Sequence, residues 1–399
     1  MTDVDYEPGG STDRFAAGGR DTDRIVSVRA TPVSIPLTFA YRWGPGDYSG
    51  FTRTIVEIET ASGIIGIGES GHPRDAALIN ELIGPRVVGA NALNIAECER
   101  KAIPSMTGML TSRDLTRLYA FSGIEMALWD IAGKASGRSV ASLLGGRVRD
   151  EVSFTDYFAL EKGADVDFPL VAQRCADAVA NYGARVFEGK VGVLSLGEEL
   201  RLVGAVREAI GEDIPIRLDA NMSWDVPTAR EALDRYADLG VTWLEEPVRT
   251  QAELLRLRAG TNISFSSHQV DLPQAVRDGA PDAFVVKTYY LGGIRRTVDF
   301  ARACAMFGID VWFRAPGAGI STAAELQISA AVESITHPSQ NLGRWHGDDV
   351  IEEGSFVATN GVARVPDGPG LGVTLDRAAM ERCYERARSA PLNDPYAYG

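Results

Sequence analysis

Three segments of the chain end in residues that could share one reaction. Arg185–Lys190 closes on Lys190, Ile216–Asn221 carries Asp219 and Asn221, and Thr242–Pro247 carries Glu245 and Glu246. If these are neighbouring strands of one parallel barrel, their C-terminal ends form the working face, and the two carboxylates aim at one spot. Two such acids repel strongly unless something positive lies between them. A hard divalent cation, Mg2+, suits carboxylate oxygens completed by water and substrate oxygens. The plainer alternative is a pair of structural acids ion-paired to Lys190. For one strand-end acid that alternative is preferred; for two on adjacent strands beside a lysine it is not.

The elements that must position these residues are legible from pattern. From Val152 onward, short apolar runs recur at Arg185–Lys190, Ile216–Asn221, Thr242–Pro247, Ile263–Ser267, Ala283–Lys287 and Asp310–Arg314. Amphipathic stretches such as Leu196–Ile210, Val226–Leu239, Pro273–Asp278 and Ile294–Phe307 separate them. This is the rhythm of βα units on a parallel sheet, and seven or eight such units close most economically into a barrel. An open doubly wound sheet is the alternative, but no Gly-rich phosphate turn follows an early strand.

Ahead of the barrel, Arg29–Ile35, Phe51–Thr60 and Ile64–Gly68 read as strands of a meander, followed by helical patterns over Asp75–Lys101 and Ser112–Ala135. The segment Phe39–Phe51, with Tyr41, Arg42, Trp43, Asp47 and Tyr48, is too apolar to be only a solvated connector and is expected to cover something. The expected organisation is an extension at 1–24, disordered by composition, an α+β capping domain at 25–150, a barrel at 151–353, and a C-terminal segment at 354–399 that packs back on the capping domain. The fold class is α/β, a (β/α)7β modified TIM barrel.

With 45% hydrophobic and 24% charged residues, the chain can bury a large core. A net charge of −14 argues against nucleic acid or an anionic membrane as partner. Cys98, Cys175, Cys304 and Cys383 lie far apart, without zinc spacing, as suits reduced thiols. No apolar run is long enough for a membrane span and no signal-peptide pattern appears, so the cytoplasm is the expected location.

The run Arg217–Trp224, Leu244-Glu245-Glu246-Pro247, Gly292-Gly293-Ile294, the helix Gly123–Lys134 and Leu143-Leu144-Gly145-Gly146 together resemble the enolase superfamily, in its muconate-lactonizing and mandelate-racemase branches. The likeness covers about residues 25–385. It implies a metal-dependent enzyme, often a homo-oligomer, that removes the proton beside a carboxylate and stabilises the resulting enediolate with Mg2+. On that resemblance Lys190 matches the second lysine of a Lys-x-Lys pair and serves as base, with a pKa lowered by the metal. Lys287, five residues before Gly292, matches the second catalytic lysine of the lactonizing branch and should face Lys190 across the substrate. The plainer reading of Lys287 is a snorkelling surface lysine, disfavoured by so apolar a strand.

Three departures from the family pattern stand out. Glu188 replaces the first lysine of the pair. The fifth strand reads Ile263-Ser-Phe-Ser-Ser-His268, so the third metal ligand falls to Ser267, His268 or water, and His268 could equally be a substrate-facing acid/base or a structural histidine. The seventh strand ends in Arg314 where the racemase branch has a histidine; Arg314 is expected to bind a substrate anion or to pair between strands. Substrate contacts are expected from Trp43, Tyr48, Glu188, Asn221, His268 and Arg314.

Two opposed lysines without a His–Asp dyad favour an isomerase, a racemase, epimerase or cycloisomerase, acting on a small carboxylate such as a sugar acid. A sugar-acid dehydratase is the alternative, and a barrel that has lost its metal and only binds is the third reading.

Overall fold

Apolar strands joined through the Ser62-Gly63 turn, where Gly63 has φ +82°, fold into an antiparallel meander in the computed structural model, which describes residues 21–103, 112–163 and 166–389. Its strands are β1 (Ile25–Trp43), β2 (Gly46–Thr60) and β3 (Ile65–Ser70), in the order β1-β2-β3. The expected extension lies outside the described residues up to position 20; Asp21–Asp23 form a short 3-10 turn and Arg24 bridges Asn91. The Phe39–Phe51 segment, read as a loop, is instead a hairpin arm. Tyr41 pairs with Tyr48, Arg42 with Asp47 and Trp43 with Gly46, after a register irregularity that begins at Pro36. Proline has no N–H to give the ladder, which accounts for the break.

The helical pattern over Asp75–Lys101 divides into Asp75–Leu78, a π turn at Ile79–Ile83, Gly84–Val87 and then Ile95–Ala102. Pro85 and the left-handed Gly89 (φ +84°) interrupt what hydrophobic spacing alone would continue. Helix Ser112–Ser136 lies against β3 so closely that a Cβ on Gly68 would stand 2.0 Å from the Gly123 carbonyl oxygen.

The second half is a parallel sheet curled into a barrel, in the order β5 (Asp156–Phe158), β6 (Phe187–Lys190), β7 (Ile216–Asp219), β8 (Val241–Glu245), β9 (Ser264–Ser267), β10 (Ala283–Val286) and β11 (Asp310–Phe313). The eighth seat is taken by Ser339 and Gln340. Thr155 N donates to Ser339 O at 2.8 Å on one side, and Gln340 N donates to Phe313 O at 2.8 Å on the other. Strand-to-helix turns share a device: Asp167, Asp225 and Asp271 each accept the N–H three residues on, with proline in the first turn of the helix that follows.

Beyond the barrel, β12 (Val362–Arg364) pairs antiparallel with β4 (Glu151–Ser153). Helix Arg377–Ser389 lies on β1, where Arg386 Nη1 donates to Ser34 O at 2.8 Å, and Arg377 pairs with Glu57 of the neighbouring β2. Among the described residues no helix is long and apolar enough to cross a membrane, and the four cysteines are buried without disulfides.

Glu125 ties the two halves together. From helix Ser112–Ser136 its carboxylate accepts Ile294 N at 2.6 Å and Arg295 N at 3.0 Å, capping barrel helix Ile294–Met306. Burial pushes this carboxyl from 4.5 up to about 7, against the pull of those two amides. A folded pKa above the unfolded one means that the folded state holds the proton more tightly. The contribution to stability is therefore full below about 4.5 and is lost as pH rises through about 7. In urea unfolding, the stability of the natural protein minus that of Glu125→Gln should shrink between pH 5 and pH 8 by about 2–3 kcal/mol. A difference that stays flat over this range would refute the assignment.

Candidate active site

The parallel register sets Lys190, Asp219 and Glu245 side by side, Lys190 opposite Asp219 and Asp219 opposite Glu245. Asp219 and Glu245 are buried and Lys190 nearly so, and Lys190 Nζ donates to Asp219 Oδ2. Asn221 fixes the same carboxylate, giving its backbone N–H to Oδ1 at 2.8 Å and its side-chain amide to Oδ2 at 3.0 Å. Asn221 (φ +46°), Met222 (φ +60°) and Glu246 (φ +41°) are all left-handed, so the backbone is strained where the chain leaves both acid-bearing strands.

The fifth strand turns His268, not Ser267, toward the acids. His268 Nε2 lies 2.6 Å from Glu245 Oε1, while Nδ1 stands 3.0 Å from the Val285 carbonyl oxygen. Donor atoms of Asp219, Glu245 and His268 all fall within 4.8 Å of one another. Ser267 Oγ instead donates to Glu246 Oε1 at 3.2 Å, and the same oxygen accepts His268 N at 2.9 Å. Ser266, directly opposite Glu245, and His268 share one parity along the strand, and alternation sends that parity inward.

Burial works against the Lys190 ammonium, but Asp219, and after it Tyr41, Glu245 and Glu188, hold its pKa well above the ordinary lysine range. The lowered pKa expected for Lys190 is thus reversed when only protein groups surround it, because it is the main cation neutralising Asp219. Burial likewise opposes the Asp219 carboxylate, yet Lys190 and His268 keep its pKa below the usual range. Burial first, and the Asp219 charge second, drive Glu245 well above it. Glu188, raised by burial and Glu245 to about 8, accepts the Tyr157 hydroxyl at 2.9 Å and the Gln340 amide at 2.5 Å. The same Gln340 nitrogen reaches Glu245 Oε2 at 2.8 Å. Glu188, expected to contact substrate, therefore sits on the barrel floor as part of this network.

Above the acids lies a cavity lined by Tyr41, Trp43, Tyr48 and Arg53 from the capping domain, and by Lys190, Asn221, His268, Tyr290, Arg314 and Gln340 from the barrel side. The hairpin arm is thus its cover. It is fastened to the barrel by Arg42 N donating to Leu160 O at 2.7 Å, Lys162 N to Ala40 O at 2.8 Å, and an Asp47–Lys162 ion pair at 3.0 Å. Trp43, Tyr48, Asn221, His268 and Arg314, the candidate substrate contacts, all line the cavity. Lys287 lines an adjoining cavity that shares His268, Tyr290 and Arg314 with this one. Its Nζ lies 2.9 Å from Glu325 Oε2 on helix Gly319–Ala331, fully buried, with its pKa lowered by desolvation. Burial raises Glu325 to about 7. Lys287, expected to face Lys190 across the substrate, is thus paired with Glu325.

Residues that sequence reasoning missed are Tyr157, Gln340, Glu246, Arg53 and Tyr290. Glu246 had a signal, standing beside Glu245 in the Glu-Glu-Pro turn, and Tyr157 is the middle residue of a strand only three residues long. Gln340 had none, since its seat is an isolated bridge position.

A capping domain closing over a parallel barrel, with an acid cluster at the strand ends, defines the class of fold and site. The sequence profile described as mandelate racemase/muconate lactonizing enzyme, N-terminal domain, matches residues 25–145, and that described as enolase C-terminal domain-like matches residues 170–379. A protein described as a probable glucarate dehydratase from Streptomyces coelicolor is 31% identical over 91% of each chain. The D-galactarolactone cycloisomerase of Agrobacterium fabrum is 31% identical over 90% of this chain and 98% of its own. An enolase from Thermobispora bispora, solved with magnesium and formate, superposes with a TM-score of 0.83 at 30% identity, covering 92% of this chain and 94% of that one. The chain belongs to the mandelate racemase/muconate lactonizing enzyme family of the enolase superfamily, a family of enzymes.

Proposed function

We propose that the protein removes the proton beside the carboxylate of a small hydroxy acid, with Lys190 as the base, and that the group on the next carbon then leaves. Asp219, Glu245 and His268 would hold a divalent cation, Mg2+ as in the Thermobispora relative. The buried cluster of two acids and one imidazole suits that ion, since Glu245 Oε1 and His268 Nε2 stand 2.6 Å apart with Asp219 beside them. When bound, the ion neutralises the acids and takes up negative charge that builds on the substrate carboxylate. Lys190 now compensates Asp219; relieved of that task, Nζ can give up its proton and act as base.

The observation that carries the reading is that Lys287 Nζ is held 2.9 Å from the buried Glu325 Oε2, whereas Lys190 stands at the acid cluster. A 1,1-proton transfer needs a second base on the opposite face, and Lys287 is committed to Glu325. One base suffices for elimination. The α C–H bond breaks to Nζ, the β C–O bond breaks with its electron pair on oxygen, and the Lys190 ammonium returns the proton to the departing hydroxide as water. The enol left behind becomes a 2-keto acid. Arg53, Arg314 and the phenols of Tyr41 and Tyr48 on the cavity wall suit a polyhydroxylated acid rather than an apolar one. A second reading, cycloisomerisation, uses the same single base with a lactone ring oxygen as leaving group, and it is favoured by the likeness to the galactarolactone enzyme.

A panel of sugar acids incubated with Mg2+ should give 2-keto acid with loss of water. Solvent-deuterium exchange at the α carbon with no net loss of water would instead point to two-base isomerisation and reject the elimination.

A further inference from the structure

We infer that His268 is the third protein ligand and that its imidazole tilts this site from Mg2+ toward Mn2+; the inference rests on the metal-dependent reading above. The geometry is specific. Nδ1 faces the Val285 carbonyl oxygen at 3.0 Å, which fixes the ring and directs Nε2 inward, and Nε2 lies 2.6 Å from Glu245 Oε1. A histidine ligand is usually held this way, its other ring nitrogen donating to a backbone carbonyl. A nitrogen lone pair and a carboxylate oxygen this close need a positive charge between them: a proton serves when no ion is present, and a cation takes the same place.

The competing donors are turned elsewhere. Ser267 Oγ is engaged by Glu246 and by Gln269 N at 3.0 Å, and Gln340 offers Glu245 the nitrogen of its amide. Glu246 holds the His268 backbone N–H at 2.9 Å, so the turn that presents the ring is itself braced by a carboxylate outside the cluster. The donor set is then two carboxylates and one neutral nitrogen. Mg2+ is a hard ion that favours oxygen, whereas first-row transition ions accept imidazole readily, Mn2+ being the one most at home with carboxylates. One negative oxygen fewer also weakens the hold on the harder ion.

The test uses the full chain stripped of metal. Calorimetric titration should give Mn2+ binding at least ~10-fold tighter than Mg2+. In His268→Asp, which restores an oxygen ligand, that ratio should fall at least ~5-fold, chiefly by tighter Mg2+ binding. Electron spin-echo spectra of the Mn2+-loaded natural protein should show modulation from a coordinated imidazole nitrogen, a readout that needs no variant to fold. An Mn2+ signal without nitrogen modulation, or an unchanged ratio in His268→Asp, overturns the inference and leaves the proposed reaction standing. Failure of both ions to bind removes the metal-dependent reaction and the inference together.

Discussion

Asp219→Asn should abolish Mg2+-dependent turnover and lower Mg2+ affinity by at least ~100-fold, because it removes one of only two charged donors in the cluster. The same change has a cost before any ion binds. Lys190 and Asp219 form an almost fully buried pair, with side chains 9% and 1% exposed. Removing one partner strands the other, an effect of about 3–5 kcal/mol for buried pairs. Chemical unfolding of metal-free protein should therefore show Asp219→Asn less stable than the natural chain, although asparagine keeps the shape. Added Mg2+ should stabilise the natural protein, by about 2.7 kcal/mol at a hundredfold excess over its dissociation constant, and leave the variant unmoved. If Asp219→Asn retains that stabilisation, the acid is not a ligand.

Lys190→Met should separate binding from chemistry. Methionine fills similar volume but can neither accept a proton nor neutralise Asp219. In the natural protein the ammonium occupies the position beside Asp219 that a divalent ion would compete for. Its loss should thus leave Mg2+ affinity equal or higher, while exchange of the substrate α proton with solvent falls by at least ~10³-fold, toward the upper range for a general base. Loss of metal binding together with exchange would mean that Lys190 serves the structure of the cluster and not the proton transfer. Lys287→Met makes the useful contrast. Its partner Glu325 is buried, so the variant should lose stability, yet it should keep a far larger share of α-proton exchange than Lys190→Met does.

The legible part of this site was the part written along strands. Lys190, Asp219 and Glu245 each end a short apolar run, and parallel pairing in register brings such ends into one row without further information. Where the chain leaves the strands, legibility stopped. Lys287 follows Val286 as a fifth apolar-strand residue should, but its direction is decided by Glu325, 38 residues further on. The choice between Ser267 and His268 needed the register with Glu245 and the grip of Glu246 on the turn, neither of which a single strand displays. The arm Phe39–Phe51 was read as a cover, while its hairpin pairing was hidden by Pro36 and by the Gly44-Pro45 corner. The barrel was anticipated from six runs. Its first strand is three residues long and its eighth seat is a bridge, both too short to generate periodicity.

That short eighth seat has a dynamic consequence. Seven strands are joined by ladders, whereas Ser339 and Gln340 close the ring with only a few backbone bonds, so hydrogen exchange within the barrel is expected to be earliest along this seam. Gln340 is also the amide that spans Glu188 and Glu245. An opening of the seam would withdraw that amide from both acids at once, tying fluctuation of the scaffold to the electrostatic balance of the acid cluster.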